Sequence, residues 1–576
     1  MADANIKKVY LIFKTHLDIG FTDYAEEIVK QYLTNFIPGA IKVGYELKDT
    51  DTPFIWTVGS WMVNEALKYD TDGTVEKAIK DGIISWHGLP FTTHTETMSP
   101  KLFEYGLSIS KKLDERFGKT TISSKMTDVP GHTIGMVPLM AKAGIKFMHL
   151  GVNPATPLPD VPRLFKWVCD GSELIVMYQE DYGTDEIIGD TVLSFAHTHD
   201  NEGPQTADEI KAIYAEMQEK YPNAQITAGT LDDFANVVLA NMGDIPQVDH
   251  EIGDVWIYGT GSDPRKVSAY RRVLRYIDQN GIGDVDLTDN LLLVPEHTWG
   301  MDTKIHIDND DAHTFDELLH IADSRRHIEK AWLEQREYVK DAEELLGIGE
   351  EYTALYPDMR GWERTYETDC GLEIYWELFD RSDYERFMTT YMRLYVEWSM
   401  RDFLRKGLPA YTGGIFMPKV TEAYKKGDEK LYILKFNEDL EAKYGLPYFT
   451  VHKYGNNVDV KWFGKRVTKL PEAFWLKFKG MGENWQVNKM GQWINTDEII
   501  GNPLLCAVYE GIRNDNVFIK SLDAMLVAPF GRRLLCHNIG KQMQDMHFLL
   551  YNNVYGTNFP LWYADDSCFR FVIEKA

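Results

Sequence analysis

Val9-Tyr10-Leu11-Ile12-Phe13-Lys14-Thr15-His16-Leu17-Asp18-Ile19-Gly20-Phe21 runs from β-branched and aromatic residues straight into a His, an Asp and a Gly. This is the pattern of a first strand that ends at a ligand-bearing loop. His16 and Asp18, two residues apart on an extended chain, point to the same face. One imidazole and one carboxylate converging on a point suit a borderline divalent metal such as zinc. A buried His–Asp hydrogen bond that only caps a strand has the same short pattern, so the rest of the chain has to decide.

Moving outward, strand-like and helix-like stretches alternate. Phe54–Val58, Ile83–His87, Ser124–Asp128, Lys146–Leu150 and Glu173–Tyr178 read as strands. Tyr24–Val43, Trp61–Asp81, Lys101–Phe117 and Val137–Ala143 carry apolar residues at helical spacing. Repeated βα units imply a parallel sheet covered by helices, and their number fits a closed barrel better than a short open sheet. Chemistry in such folds gathers at the C-terminal ends of strands. Polar clusters fall there: His16 and Asp18, His87, His94 and Glu96, Asp128 and His132, then His197, His199 and Asp200. Further on, Phe315–Leu346 and Ser382–Lys406 show helical periodicity, and beyond Leu408 short strands are punctuated by turns, as in an antiparallel sandwich.

Composition narrows the function classes. The 576 residues carry 88 acidic and 61 basic side chains, a net charge of −27 that repels phosphate backbones and argues against nucleic-acid binding. Five scattered cysteines argue against a disulfide framework and against a thiolate metal site. No apolar run reaches membrane-spanning length, and Met1–Lys8 has no apolar signal core, so the expectation is a cytoplasmic protein with no membrane partner.

Three further segments stand out: Met126-Thr127-Asp128-Val129-Pro130-Gly131-His132-Thr133, Ala196-His197-Thr198-His199-Asp200-Asn201-Glu202-Gly203-Pro204 and Leu291-Leu292-Leu293-Val294-Pro295-Glu296-His297-Thr298-Trp299-Gly300. Together with His16-Leu17-Asp18-Ile19-Gly20-Phe21, and in this order, they resemble the catalytic domain of glycoside hydrolase family 38, the retaining α-mannosidases. The resemblance implies a multidomain α/β + α + β chain. Its parts are an irregular (β/α)7-type barrel at 1–310, a helical bundle at 311–410 and a C-terminal antiparallel β-sandwich at 411–576. It implies zinc, or another divalent cation, held by His16, Asp18, Asp128 and His297. Asp128 then serves also as the nucleophile that forms a covalent glycosyl-enzyme, and Asp200 as the general acid and base. Retention requires the two carboxyls to lie roughly 5–5.5 Å apart.

Phe21 stands where the family has Trp, and the Pro295–Gly300 segment departs from the family pattern, as a divergent, shorter branch would. Phe21, His94, His199, Tyr258 and Trp299 are the substrate-binding candidates; a core or loop role fits Phe21, His94, Tyr258 and Trp299 as well. Tyr551–Phe559, dense in turn formers and amides, reads as a hairpin turn, although its amides also suit sugar hydroxyls. The partner expected is an oligosaccharide or glycoside, and a homo-oligomer is left open. Two rival functions share these residues: a metal-dependent carbohydrate deacetylase, whose metal activates water against an amide, and a non-catalytic sugar-binding protein.

Overall fold

The computed structural model describes residues 5–576 except 282–284, 308–311, 319–322, 350–356, 404, 406, 503 and 538–542. Eleven strands order its N-terminal part: β1 (Lys8–His16), β2 (Trp56–Gly59), β3 (Ile84–His87), β4 (Ser123–Asp128), β5 (Phe147–Val152), β6 (Leu164–Cys169), β7 (Ser172–Glu180), β8 (Glu186–Ile188), β9 (Thr191–Asp200), β10 (Gln225–Ala228) and β11 (Gln247–Val248). β9, β1, β2 and β3 are parallel neighbours, as are β4, β5 and β7. The Gly88 N–H donates to Ser123 O at 2.9 Å, which sets the end of β3 beside the start of β4. β6 and β8 run antiparallel along β7 and β9, and β10 pairs with the first half of β1.

β1 shows why the strands sit where they do. Val9, Leu11, Ile12 and Phe13 are all buried, as expected of a strand covered on both faces. Lys14, Thr15 and His16 are equally buried although polar. The strand is therefore core at one end and site at the other.

Local signals set the helix ends. Pro100–Phe117 starts with the Ser99 side chain accepting the Leu102 N–H, has Pro100 in its first turn, and stops at Gly118 with φ +66°. Two stretches expected as single helices are divided. Ala25–Gln31 and Ile37–Leu47 are joined by a π-turn over Tyr32–Phe36, which leaves the Tyr32 hydroxyl on His16 O at 3.3 Å. Ser60–Lys68 and Thr74–Lys80 are separated by Gly73 at φ +74°, with the Asp70 carboxylate accepting the Val75 and Glu76 N–H groups.

In the second half, the helix Asp323–Leu346 packs on the helices Pro264–Asn280 and Val285–Leu292. The span 311–410 is not helical throughout, which corrects the expectation of a helical bundle there. Leu372–Leu378 is a strand whose residues alternate buried and half-buried, and it pairs antiparallel with Glu472–Phe478. Glu363–Thr365 likewise joins an antiparallel sheet, pairing with Lys419–Lys426. The physical reason lies in Leu372-Glu373-Ile374-Tyr375-Trp376-Glu377-Leu378, a period-2 pattern between two helical stretches. The second of those stretches forms two helices, Arg381–Tyr391 and Glu397–Phe403. Lys406, and positions 310 and 311 of the expected domain boundary, lie outside the described residues.

The C-terminal part forms a ten-stranded and a six-stranded sheet. Rings from one meet rings from the other: Trp462 lies 5.2 Å from Phe474, and Phe571 lies 5.2 Å from Phe478 and 4.9 Å from Phe548. The strand His547–Asn552 carries the chain back toward the N-terminal half. There Asn552 Nδ2 donates to Tyr258 O at 2.8 Å, and Asn553 Nδ2 to Leu470 O and Leu561 O. Those bonds fix the loop that follows.

Candidate active site

β1 and β9 stay in register as far as Thr15 and Thr198. The pairing then slips by one residue, so that His16 faces Asp200 and His199 is the extra residue of a bulge. A bulge re-aims side chains at a strand end. Asn201, at φ +54°, completes the turn. Its Nδ2 donates to Asp18 O at 3.0 Å and Gly20 O at 3.2 Å, while its Oδ1 accepts the Asp18 N–H at 3.1 Å. The end of β9 thus holds the His16–Gly20 loop in place.

His297 arrives from the loop after Val285–Leu292, its N–H directed at Thr92 O, 3.3 Å away. Its Nε2 lies 3.1 Å from His16 Nε2, 2.9 Å from Asp18 Oδ1 and 3.6 Å from Asp128 Oδ2. His16 Nε2 and Asp18 Oδ1 are 3.2 Å apart. On its other side His297 Nδ1 meets Glu296 Oε1 at 2.6 Å. Two imidazole nitrogens aimed at each other across a carboxylate repel unless a proton or a cation lies between them. Burial opposes a proton on His297, yet the carboxylates of Glu296 and Asp18 win and hold its pKa well above the usual histidine range. His16, Asp18 and His297 are the one group of potential metal ligands found among the described residues. With Asp128 adjoining, the donors are two nitrogens and two carboxylates, a set that fits a borderline divalent cation. Glu296 stands where such a site places the carboxylate that orients a ligand histidine.

Asp128 ends β4 with φ +83°, a conformation that costs a side-chain-bearing residue about 1–3 kcal/mol. Its Oδ1 accepts from Asn153 Nδ2 at 2.9 Å and from the Tyr182 hydroxyl at 2.8 Å. Its Oδ2 faces His297. Burial, reinforced by Asp128 itself, holds the Tyr182 phenol far above its ordinary pKa, so it remains a donor. Phe21, Asp181, Tyr182 and Asn201 also have positive φ, so five of the nine such non-glycine residues described surround this one site. Backbone strain concentrates where function needs it.

Asp200 is pushed up to about 7, first by burial and then by the charges of Asp18 and Asp128. Asp128 and Asp200 share a pocket of about 610 Å³. Its lining combines polar groups, among them Asp18, Asn153, Tyr182, His199 and His297, with the aromatic rings of Trp256, Trp398, Phe403, Tyr555 and Phe559. Lys304, paired with Asp402 and lying 3.2 Å from Asp302 Oδ2, forms part of the rim.

The structure brings Asp18, Phe21, Asp128, His199, Asp200 and His297 to the pocket wall, with His16 bonded behind them. Three expected substrate contacts are corrected. His94 is fully buried with Nδ1 on Asp254 Oδ2 at 2.8 Å. Tyr258 is buried, with its hydroxyl on Asn502 Oδ1 at 3.1 Å. Trp299 is buried beneath the Lys266 ammonium, 3.7 Å from its ring centroid, and against Phe559. All three lie one layer behind the wall and support residues that do reach it. The Tyr551–Phe559 segment is more than a turn: Tyr555, Thr557, Asn558 and Phe559 line the pocket. Sequence reasoning passed over Asn153, Tyr182, Trp398 and Asp402, which have no motif around them, and Asn201, whose place directly after Asp200 was a usable signal.

Residues 260–350 match the family model of a domain of unknown function (DUF5054). No curated protein matches the chain. Among solved structures, an α-mannosidase from Enterococcus faecalis V583 superimposes with a TM-score of 0.58 at 10% identity, over 99% of this chain and 87% of that one. A protein in the glycosyl hydrolase family 38, also from Enterococcus faecalis, gives 0.55 at 9% identity, over 99% and 86%. At these identities the likeness is one of fold. The chain has a fold like that of the family 38 α-mannosidases along nearly its whole length.

Proposed function

We propose that this protein is a metal-dependent, retaining glycoside hydrolase of α-mannosidase type. The observation that carries the reading is the Asp128 carboxylate. One oxygen is held by Asn153 and Tyr182, the other faces the His16–Asp18–His297 cluster, and the protonatable carboxyl of Asp200 lies in the same pocket. The fold likeness to family 38 supports a carbohydrate substrate.

In this reading His16, Asp18, Asp128 and His297 hold zinc or a similar divalent cation, which supplies Lewis-acid anchoring for neighbouring sugar hydroxyls. Asp128 attacks the anomeric carbon and forms the glycosyl-enzyme ester. Asp200, protonated by virtue of its raised pKa, gives its proton to the departing oxygen and then takes one from the water that cleaves the ester. Tyr182 and Asn153 keep the Asp128 carboxylate in one orientation. The aromatic residues of the pocket offer stacking surface to the substrate.

The test is hydrolysis of nitrophenyl glycosides of both anomers by purified protein, with and without chelator. Cleavage of the α-mannoside, lost on chelation and restored by zinc, is the expected result. A 2-deoxy-2-fluoroglycosyl probe should label Asp128 covalently. Amide hydrolysis of an N-acetylated sugar without such an adduct would establish the deacetylase instead, and metal and sugar binding without turnover would establish a binding protein.

A further inference from the structure

A second cavity lies among β1, β2, β3 and β4 and shares no lining residue with the sugar pocket. It has room of about 40 Å³, and Lys14, Thr57, His87, Lys125 and Thr127 line it together with the back of His16. Both lysines are buried. Lys14 Nζ donates to Thr127 Oγ1 at 2.9 Å. Lys125 Nζ lies 2.8 Å from His149 Nδ1 and donates to Tyr182 O at 2.7 Å. Among the described residues neither ammonium has a carboxylate within ion-pair distance. In the same lining the buried His87 Nδ1 and Thr57 Oγ1 have no hydrogen-bond partner.

A positive charge taken out of water needs a partner of opposite sign. A charged lysine has three N–H donors; at Lys14 the contact above uses one of them, and at Lys125 the Phe195 ring lies 4.3 Å from Nζ besides the two contacts above. The unpartnered Thr57 hydroxyl and His87 imidazole add polar groups to a lining that holds no carboxylate. The room admits about two or three water-sized atoms, too little for a sugar or a phosphate ester. We propose that this cavity binds one small monovalent anion of the chloride class between Lys14 and Lys125. The cavity shares His16 with the proposed metal cluster, but its test involves no turnover, so its failure and the failure of the glycosidase reading are distinguishable.

The deciding experiment is a crystal of the full chain soaked in bromide and measured at the bromine edge. An anomalous peak within hydrogen-bond reach of both Nζ atoms, removed by back-soaking in chloride, is the expected result. Water-like density alone, or peaks only on the outer surface, would overturn the proposal. In solution, chloride should raise Tm saturably relative to gluconate at equal ionic strength, and Lys125→Met should abolish that rise. An undiminished rise in the folded variant would also overturn it. If the variant does not fold, the wild-type anomalous map still decides.

Discussion

The Tyr182 hydroxyl donates to Asp128 Oδ1 at 2.8 Å, and both residues hold positive φ to make that bond. A hydrogen bond to a charged acceptor contributes about 1.5–3 kcal/mol. Tyr182→Phe keeps the ring and removes only the donor. The expected outcome is a fall in kcat/KM of about 10- to 100-fold, with metal content unchanged. Asp128→Asn in the same assay should leave no measurable glycoside turnover. Equal rates for wild type and Tyr182→Phe would mean that this bond does not position the reacting oxygen.

Glu296 controls the cluster from behind through His297 Nδ1. Removing such an orienting carboxylate costs about 10- to 100-fold in metal affinity, so Glu296→Gln should weaken zinc binding by that factor in a chelator competition. The pH dependence has a definite sign. The carboxylates of Glu296 and Asp18 raise the pKa of His297 against the effect of burial, and a histidine must be deprotonated to ligate. Zinc affinity should therefore climb as pH rises toward that pKa and weaken as pH falls. Glu296→Gln lowers the His297 pKa and should flatten the slope.

If Asp200 is the acid of the proposed reaction, it should give the alkaline limb of activity. Burial and the charges of Asp18 and Asp128 push its pKa up to about 7, so the acid form is present below that value and lost above it. A bound cation pulls the value down, which places the limb at or below about 7. Asp200→Asn should lower kcat by about 10²- to 10⁴-fold and remove the limb from the pH profile. A limb that survives the substitution would reassign the acid, and Asp402, whose carboxyl is pushed to about 7 by burial in the same pocket, is the next residue to substitute.

Local patterns carried the strands and the clusters at their ends. β1, β4 and β5 start and stop within three residues of the strands read at Val9–Phe13, Ser124–Asp128 and Lys146–Leu150, because a strand covered on both faces has little choice of register. His16 and Asp18 were readable from the end of β1, and His297 from the Pro295–Gly300 motif that follows the helix Val285–Leu292. Tyr182 and Asn153 were not. Tyr182 reaches Asp128 from a turn with φ +63°, which leaves no mark in residue type, since Tyr is among the unlikely residues there; Asn153 lies just past the end of β5 with no motif around it. His94, Tyr258 and Trp299 failed for the opposite reason. Their chemistry suits sugar binding, but their neighbours in space, Asp254, Asn502 and Lys266, bury them. The strand Leu372–Leu378 was hidden by helical sequence on both sides, and its partner Glu472–Phe478 is nearly a hundred positions away.

Lys489 ties the two halves of the molecule together. Its ammonium lies 2.7 Å from Glu96 Oε2 and 2.9 Å from Glu251 Oε1, with all three side chains buried. Burial pushes Glu96 up to about 7 even against the attraction of Lys489. Without the lysine two carboxyls would face each other in the interior. Breaking a buried pair on one side costs about 3–5 kcal/mol, so Lys489→Met should lower Tm sharply and worsen it further as pH rises and the carboxyls ionise. Adding Glu96→Gln and Glu251→Gln removes the uncompensated charge. The triple variant should regain most of the lost stability, read by calorimetry across pH 5–8. A triple variant no more stable than Lys489→Met would show that the cluster acts through packing and not through charge.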